Sequence, residues 1–180
     1  MSADTGIRDV VTGLYVREYF DDVIARELER SRRHEIPLSV VSVVIRDFDS
    51  LAAAGEEATV SVLVEIAREL GRNVRETDHL FRWEADEFLL LLFGADAAVA
   101  AVERVRAAIA EVRLPNVEEA VTASAGVALH HGAFDSADVA GLIRRADQAL
   151  YKSKAEGRDR TTVESRGPDR PTSPAEVRYR

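Results

Sequence analysis

Apolar residues recur at helical spacing from Arg17 to about His34, where Phe20, Val23, Ile24 and Leu28 sit among charged neighbours. That spacing predicts an amphipathic helix, closed before Pro37. The next stretch, LSVVSVVIRDF (residues 38–48), is short and rich in β-branched side chains, which suits a strand buried on both faces. Helical spacing returns over residues 56–76 through Val60, Leu63, Ile66, Ala67, Leu70 and Val74. Residues 79–93, HLFRWEADEFLLLLF, read as two apolar strands around an acidic turn, the second of them a buried central strand. A third helix is predicted from Ala97 to Val112, a strand over AVTASAGVAL (residues 120–129), and a last helix through Leu142, Ile143, Ala146, Ala149 and Leu150. Ser136 or Asp138 could cap that helix and Gly157 end it, with a short strand from Thr161 to Glu164 closing the sheet. Alternating helices and strands with one central hairpin predict an α/β fold, a mixed sheet flanked by helices.

At 180 residues the chain is most simply one domain. We divide it into an N-terminal extension (1–8), a folded domain (9–164) and a tail (165–180) whose three prolines and missing periodicity are those of a disordered segment. With 24 basic and 32 acidic residues the net charge is −8, which argues against a nucleic-acid or membrane-surface binder, since both need a positive face. Cysteine is absent, which excludes disulfides and thiol catalysis. No signal pattern or membrane-length apolar run is visible, so a cytoplasmic location is expected.

The chemistry concentrates at strand ends. If the strand ending at Asp47 lies beside the hairpin, Asp47 and Asp86 point to a common place, where two carboxylates could hold Mg²⁺, a hard cation that takes oxygen ligands. By spacing alone, simply solvated acids at strand ends and turns are the commoner case.

Four stretches taken together, DVVTGLYVREYF (9–20), RETDHLFRWEADEF (75–88), VTASAGVAL (121–129) and ADQALYKSKAEGRDR (146–160), resemble the GGDEF domain family of bacterial diguanylate cyclases in order and spacing. The resemblance implies a fold like the palm of nucleotide polymerases and a reaction joining two GTP into cyclic di-GMP. It maps the signature turn onto Glu84, Ala85, Asp86, Glu87 and Phe88, with both glycines replaced. It further maps a metal site onto Asp47, the Phe48 carbonyl and Asp86, and phosphate contacts onto Lys154 and Arg158.

The departures bear on activity. Glycine serves where backbone must approach a ligand closely or take positive φ, so Glu84 and Ala85 are expected to intrude on the guanine and phosphate seat. Glu84 adds a repulsion of about 4 kcal/mol at contact distance for an effective dielectric near 20. After the metal-site strand, Leu51 and Ala52 stand where the family has Phe and a phosphate-binding Lys, the segment is shortened, and the guanine-recognising Asn and Asp have no counterpart. Val16 likewise replaces a usual Asn. The resemblance therefore implies a degenerate cyclase that needs no cofactor, Mg²⁺ entering only with residual activity.

Arg75-Glu76-Thr77-Asp78, with Asp78 six positions before Glu84, matches the family's RxxD inhibitory site for cyclic di-GMP, and Arg106 resembles a secondary arginine of that site. Surface ion pairs at i and i+3 have the same pattern. His130 and His131 are expected to face solvent beyond a strand end, His79 to be a strand residue with one polar face, and Trp83 to be packing, stacking on a base being its alternative. The reading is a cyclic di-GMP receptor acting on a protein partner. Its alternatives are a weak cyclase and a ligand-free scaffold, and a homodimer is left open.

Overall fold

The computed structural model describes residues 6–46, 48–53, 55–113, 120–132 and 135–164, with the side chains of 49–51, 95 and 96 outside that description. Both expected extensions, but for residues 6–8, lie outside it too. In chain order the elements are β1 (Tyr15–Val16), a 3-10 turn at Arg17–Tyr19, α1 (Phe20–His34), β2 (Leu38–Ile45), α2 (Phe48–Ala53), α3 (Glu56–Asn73), β3 (His79–Arg82), β4 (Glu87–Phe93), α4 (Ala95–Ala110), β5 (Ala123–His130), α5 (Val139–Ala155) and β6 (Thr161–Glu164).

All eight residues of β2 are buried, as its unbroken apolar run demands. It lies at the centre of a six-stranded sheet of order β1-β3-β4-β2-β5-β6, antiparallel to both β4 and β5, with Val41 opposite Leu90 and Val127. Parallel pairs, β1 with β3 and β5 with β6, make the sheet mixed. Strand alternation sends Val41, Val43 and Ile45 into one core with Ile66 and Leu70 of α3 and Val102 and Val105 of α4. Leu38 and Val40 face the other core, with Phe20 and Ile24 of α1 and Leu142 and Ala146 of α5. The result is the expected α/β sandwich with helices on both faces. No helix among the described residues is long and apolar enough to cross a membrane.

Three local expectations are corrected. The strand predicted to reach Phe48 ends at Ile45, because Arg46 turns the chain and Phe48 already opens α2. The helix over 56–76 stops at Asn73, leaving Arg75 to Asp78 as a turn closed by the Asp78 amide donating to the Arg75 carbonyl at 3.0 Å. His130 does not face solvent. It is the fully buried last residue of β5, its Nδ1 accepting from the Gly132 amide at 3.2 Å and lying 3.1 Å from Ser31 Oγ. Burial lowers the pKa of His130, against the opposing pull of Asp135. Of the two proposed caps for α5, Asp138 is the one used, accepting from the Gly141 amide at 2.8 Å.

Gly126 sets how closely α5 approaches the sheet. A Cβ there would fall on the Ala146 carbonyl oxygen and the Leu150 amide nitrogen, which are helix backbone and cannot yield as a side chain can. Gly126→Ala is therefore expected to lower unfolding free energy by about 1–3 kcal/mol or more, read as a drop in the urea midpoint; an unchanged midpoint would refute the close approach.

Candidate functional site

At the Ile45 end of β2 the sheet opens into a pocket of about 220 Å³ lined by Phe48, Asp86, Ser124, Lys154 and Arg158 among others. The Ile45 amide donates to the Asp86 carbonyl at 3.0 Å, so pairing of β2 with the hairpin fixes where Asp86 stands. Lys154 comes from the last turn of α5 and Arg158 from the turn after it. That turn is unusual. Gly157, Arg158 and Asp159 all have positive φ, at 115°, 59° and 44°, a conformation costing non-glycine residues on the order of 1–2 kcal/mol each. The structure thus brings Phe48, Asp86, Lys154 and Arg158 to one pocket, while Asp47 lies outside the described residues. Asp86 is the one carboxylate among the described residues that line the pocket. A carboxylate is an oxygen donor of the kind Mg²⁺ takes, and one alone among the described residues falls short of a full ligand shell.

Beside Asp86, Glu87 opens β4 and is mostly buried. Its pKa is raised from 4.5 to about 7, first by desolvation and then by Asp147, with Lys154 and a hydrogen bond from Ser42 pulling the other way.

The hairpin turn itself closes through the Trp83 and Glu84 amides, which both donate to the Glu87 carbonyl, at 2.9 and 3.2 Å. Among the described non-glycine residues positive φ occurs at Glu35, Arg158 and Asp159, and so not at Glu84 or Ala85. Glu84 pairs with Arg17, whose guanidinium carbon lies 4.4 Å from the centroid of the Trp83 ring. Trp83 in turn packs edge-on against Phe20, so its expected packing role holds. The Glu84 side chain lines a separate surface hollow with Arg17, Arg82 and Trp83. Among the described residues Glu84 does not line the strand-end pocket, and its carboxylate is ion-paired with Arg17 at the surface.

A second, smaller pocket of about 130 Å³ lies where the turn before β3 meets α4. Asp78 is fixed there by two backbone amides, its Oδ2 accepting from Arg75 at 2.8 Å and its Oδ1 from Phe93 at 3.1 Å. The Arg75 side chain is exposed and has no hydrogen bond or ion pair among the described residues. Ala97, Ala98 and Ala101 of α4 form a small-residue wall, and Arg104 stands at its edge, donating to the Asn73 carbonyl at 3.2 Å. Arg106 does not line this pocket. It turns to the β5 side, donating to the Ala123 carbonyl at 3.0 Å and to Asp159 Oδ1 at 2.7 Å, so Arg104, and not the Arg106 that the resemblance pointed to, lines this pocket. Helical phase is the signal that separates them: residues two apart project about 200° from each other. His79 is, as expected, a half-buried strand residue, 3.9 Å from Glu27.

The model of the family described as "Diguanylate cyclase, GGDEF domain" matches residues 7–160. This chain belongs to the GGDEF family. Among its relatives, the probable diguanylate cyclase DgcC of Escherichia coli K12 is 31% identical over 160 residues, covering 87% of this chain and 43% of DgcC. The chain thus spans under half the length of that curated relative. The diguanylate cyclase SiaD of Pseudomonas aeruginosa, solved in complex with its activator SiaC, superimposes with a TM-score of 0.80 at 34% identity, covering 89% of this chain and 63% of SiaD. The GGDEF domain of DgcB from Caulobacter crescentus, solved in complex with c-di-GMP, shares the fold with a TM-score of 0.82 at 23% identity over 91% of this chain and 98% of that one.

In this GGDEF domain the buried signature glutamate should be visible in stability. Between pH 4.5 and 7 native Glu87 holds a proton that the unfolded chain has released, so stability falls as pH rises through that window. Glu87→Gln, which keeps the neutral shape, is expected to flatten the fall; urea unfolding at pH 4.5 and 7.5 measures it, and identical pH profiles for the two proteins would refute the shift.

Proposed function

We propose that this GGDEF domain is a cyclic di-GMP-binding module, with Arg75, Asp78 and Arg104 as its recognition residues and the cyclase reaction lost. What carries the reading is the contrast within one pocket: a carboxylate locked in place by two amides beside an arginine left unengaged among the described residues. Each Asp78 oxygen keeps a lone pair for the N1 and N2 donors of guanine. The Arg75 fork suits phosphate or the purine O6 and N7 edge, and Arg104 adds a second cation for a phosphodiester. Alanines on α4 leave room for a flat base. The solved complex of DgcB with c-di-GMP supports the ligand class through the shared fold. SiaD, solved with an activator protein, supports the expectation that a partner reads such a domain.

A second reading, a weak diguanylate cyclase, rests on Asp86, Lys154 and Arg158 lining one pocket. Mg²⁺ there would be held by Asp86, the Phe48 carbonyl and Asp47, and would neutralise phosphate charge. Against turnover stand Ala52, where the family has its phosphate-binding lysine, and the missing guanine contacts. Positioned binding is what phosphoryl-transfer catalysis depends on.

Calorimetric titration with cyclic di-GMP tests both. Binding is expected in the wild type, lost in Arg75→Ala, weakened at least about tenfold in Arg104→Ala and unchanged in Asp86→Ala. Absence of wild-type binding would overturn the receptor reading. Mg²⁺-dependent product from GTP that disappears in Asp86→Ala would establish the cyclase instead.

A further inference from the structure

Arg106, which the resemblance pointed to for the inhibitory site, is held elsewhere in the structure. Its side chain is 12% exposed and fully engaged. Nε donates to the Ala123 carbonyl at 3.0 Å, Nη1 to Glu103 at 2.9 Å, and Nη2 to both the backbone carbonyl of Asp159 and, at 2.7 Å, its carboxylate. The Asp159 amide donates to Ser124 Oγ at 3.1 Å, and the Ala125 amide to the Arg160 carbonyl at 2.9 Å. Asp159 is therefore gripped at its amide, carbonyl and carboxylate together.

Its neighbour in sequence is Arg158, which lines the strand-end pocket with Lys154. The two cations reach that pocket differently. Lys154 rides on α5, where helical hydrogen bonds fix the backbone. Arg158 stands in the left-handed run Gly157–Asp159, a conformation that persists in non-glycine residues only when surrounding contacts over-determine it. The Arg158 amide donates to the Ser153 carbonyl of α5 at 3.0 Å, and Arg106 and Ser124 supply the further contacts at Asp159.

We propose that Arg106 is a positioning residue for the strand-end pocket: by clamping Asp159 it holds the left-handed turn that presents Arg158 beside Lys154, presetting a two-cation wall for a phosphoryl-bearing ligand. The assignment is independent of cyclic di-GMP binding at the other pocket. Because the guanine contacts are missing, the probe is inorganic tripolyphosphate, which tests the cation wall without the base.

Tripolyphosphate is titrated into the full chain by calorimetry, with folding checked by circular dichroism. The wild type is expected to bind, and Arg158→Ala and Arg106→Met each to bind about tenfold more weakly. The double variant should be no weaker than Arg158→Ala alone, since Arg106 acts only through Arg158. Arg106→Lys should recover part of the loss. Losses that add in the double variant, wild-type affinity in Arg106→Met, or no binding by the wild type would each overturn the proposal. If Arg106→Met fails to fold, Asp159→Ala replaces it in the same cycle, since it removes the carboxylate contact and leaves the Ala123 carbonyl satisfied. Cyclic di-GMP titrations of the same samples report separately: binding there is expected to be intact in Arg106→Met, and its absence in the wild type would sink the receptor reading while leaving this one standing.

Discussion

The domain is organised by one constraint, the complete burial of β2 between two antiparallel partners and two helical layers. A strand with no solvent face cannot slip by one residue without inverting both cores at once, so its register with β4 and β5 is tightly specified. That register carries chemistry. Ile45 is the last residue of the strand, and the bond from its amide to the Asp86 carbonyl ties the signature turn to the sheet end. Asp86 is thus placed by the apolar pattern of residues far from any ligand.

Much of this was legible in the sequence because burial writes a clear pattern. The β-branched run of β2, the FLLLLF strand and the stripes of α1, α3 and α5 each announce their neighbours' geometry. Other elements left no such trace. β1 is two residues long and exists through its parallel pairing with β3, a contact of high sequence separation that no local window contains. α2 spans six residues, too few to express a period. His130 looked polar and exposed because its burial comes from Ser31 of α1 and from the loop beyond β5, both supplied by tertiary structure. The candidate site residues divide along the same line: Asp86, Lys154 and Arg158 sit in motifs that the resemblance covers, whereas Arg106 was named by resemblance alone, and only rotation about the α4 axis shows that Arg104 is the arginine on the pocket side.

That rotation gives α4 two distinct faces. Arg104 leans over the alanine wall toward Asp78, and Arg106, a little over half a turn away, reaches across to Asp159. The family resemblance treats these regions as separate devices, one regulatory and one catalytic. In the structure a single helix touches both: its alanine face lines the pocket at Asp78 while its other side stays bonded to the sheet.

The signature hairpin closes without a residue at positive φ in its Glu84-Ala85 segment, the backbone following a path open to any L-amino acid. Its shape is kept by amides converging on the Glu87 carbonyl and by the Arg17, Trp83 and Phe20 stack behind it. Chain geometry here makes no demand for glycine, so a glycine pair at this position answers to whatever must lie against the turn. A lineage released from seating that molecule could let these two positions drift while the architecture persisted, and the fold would outlive its own fingerprint.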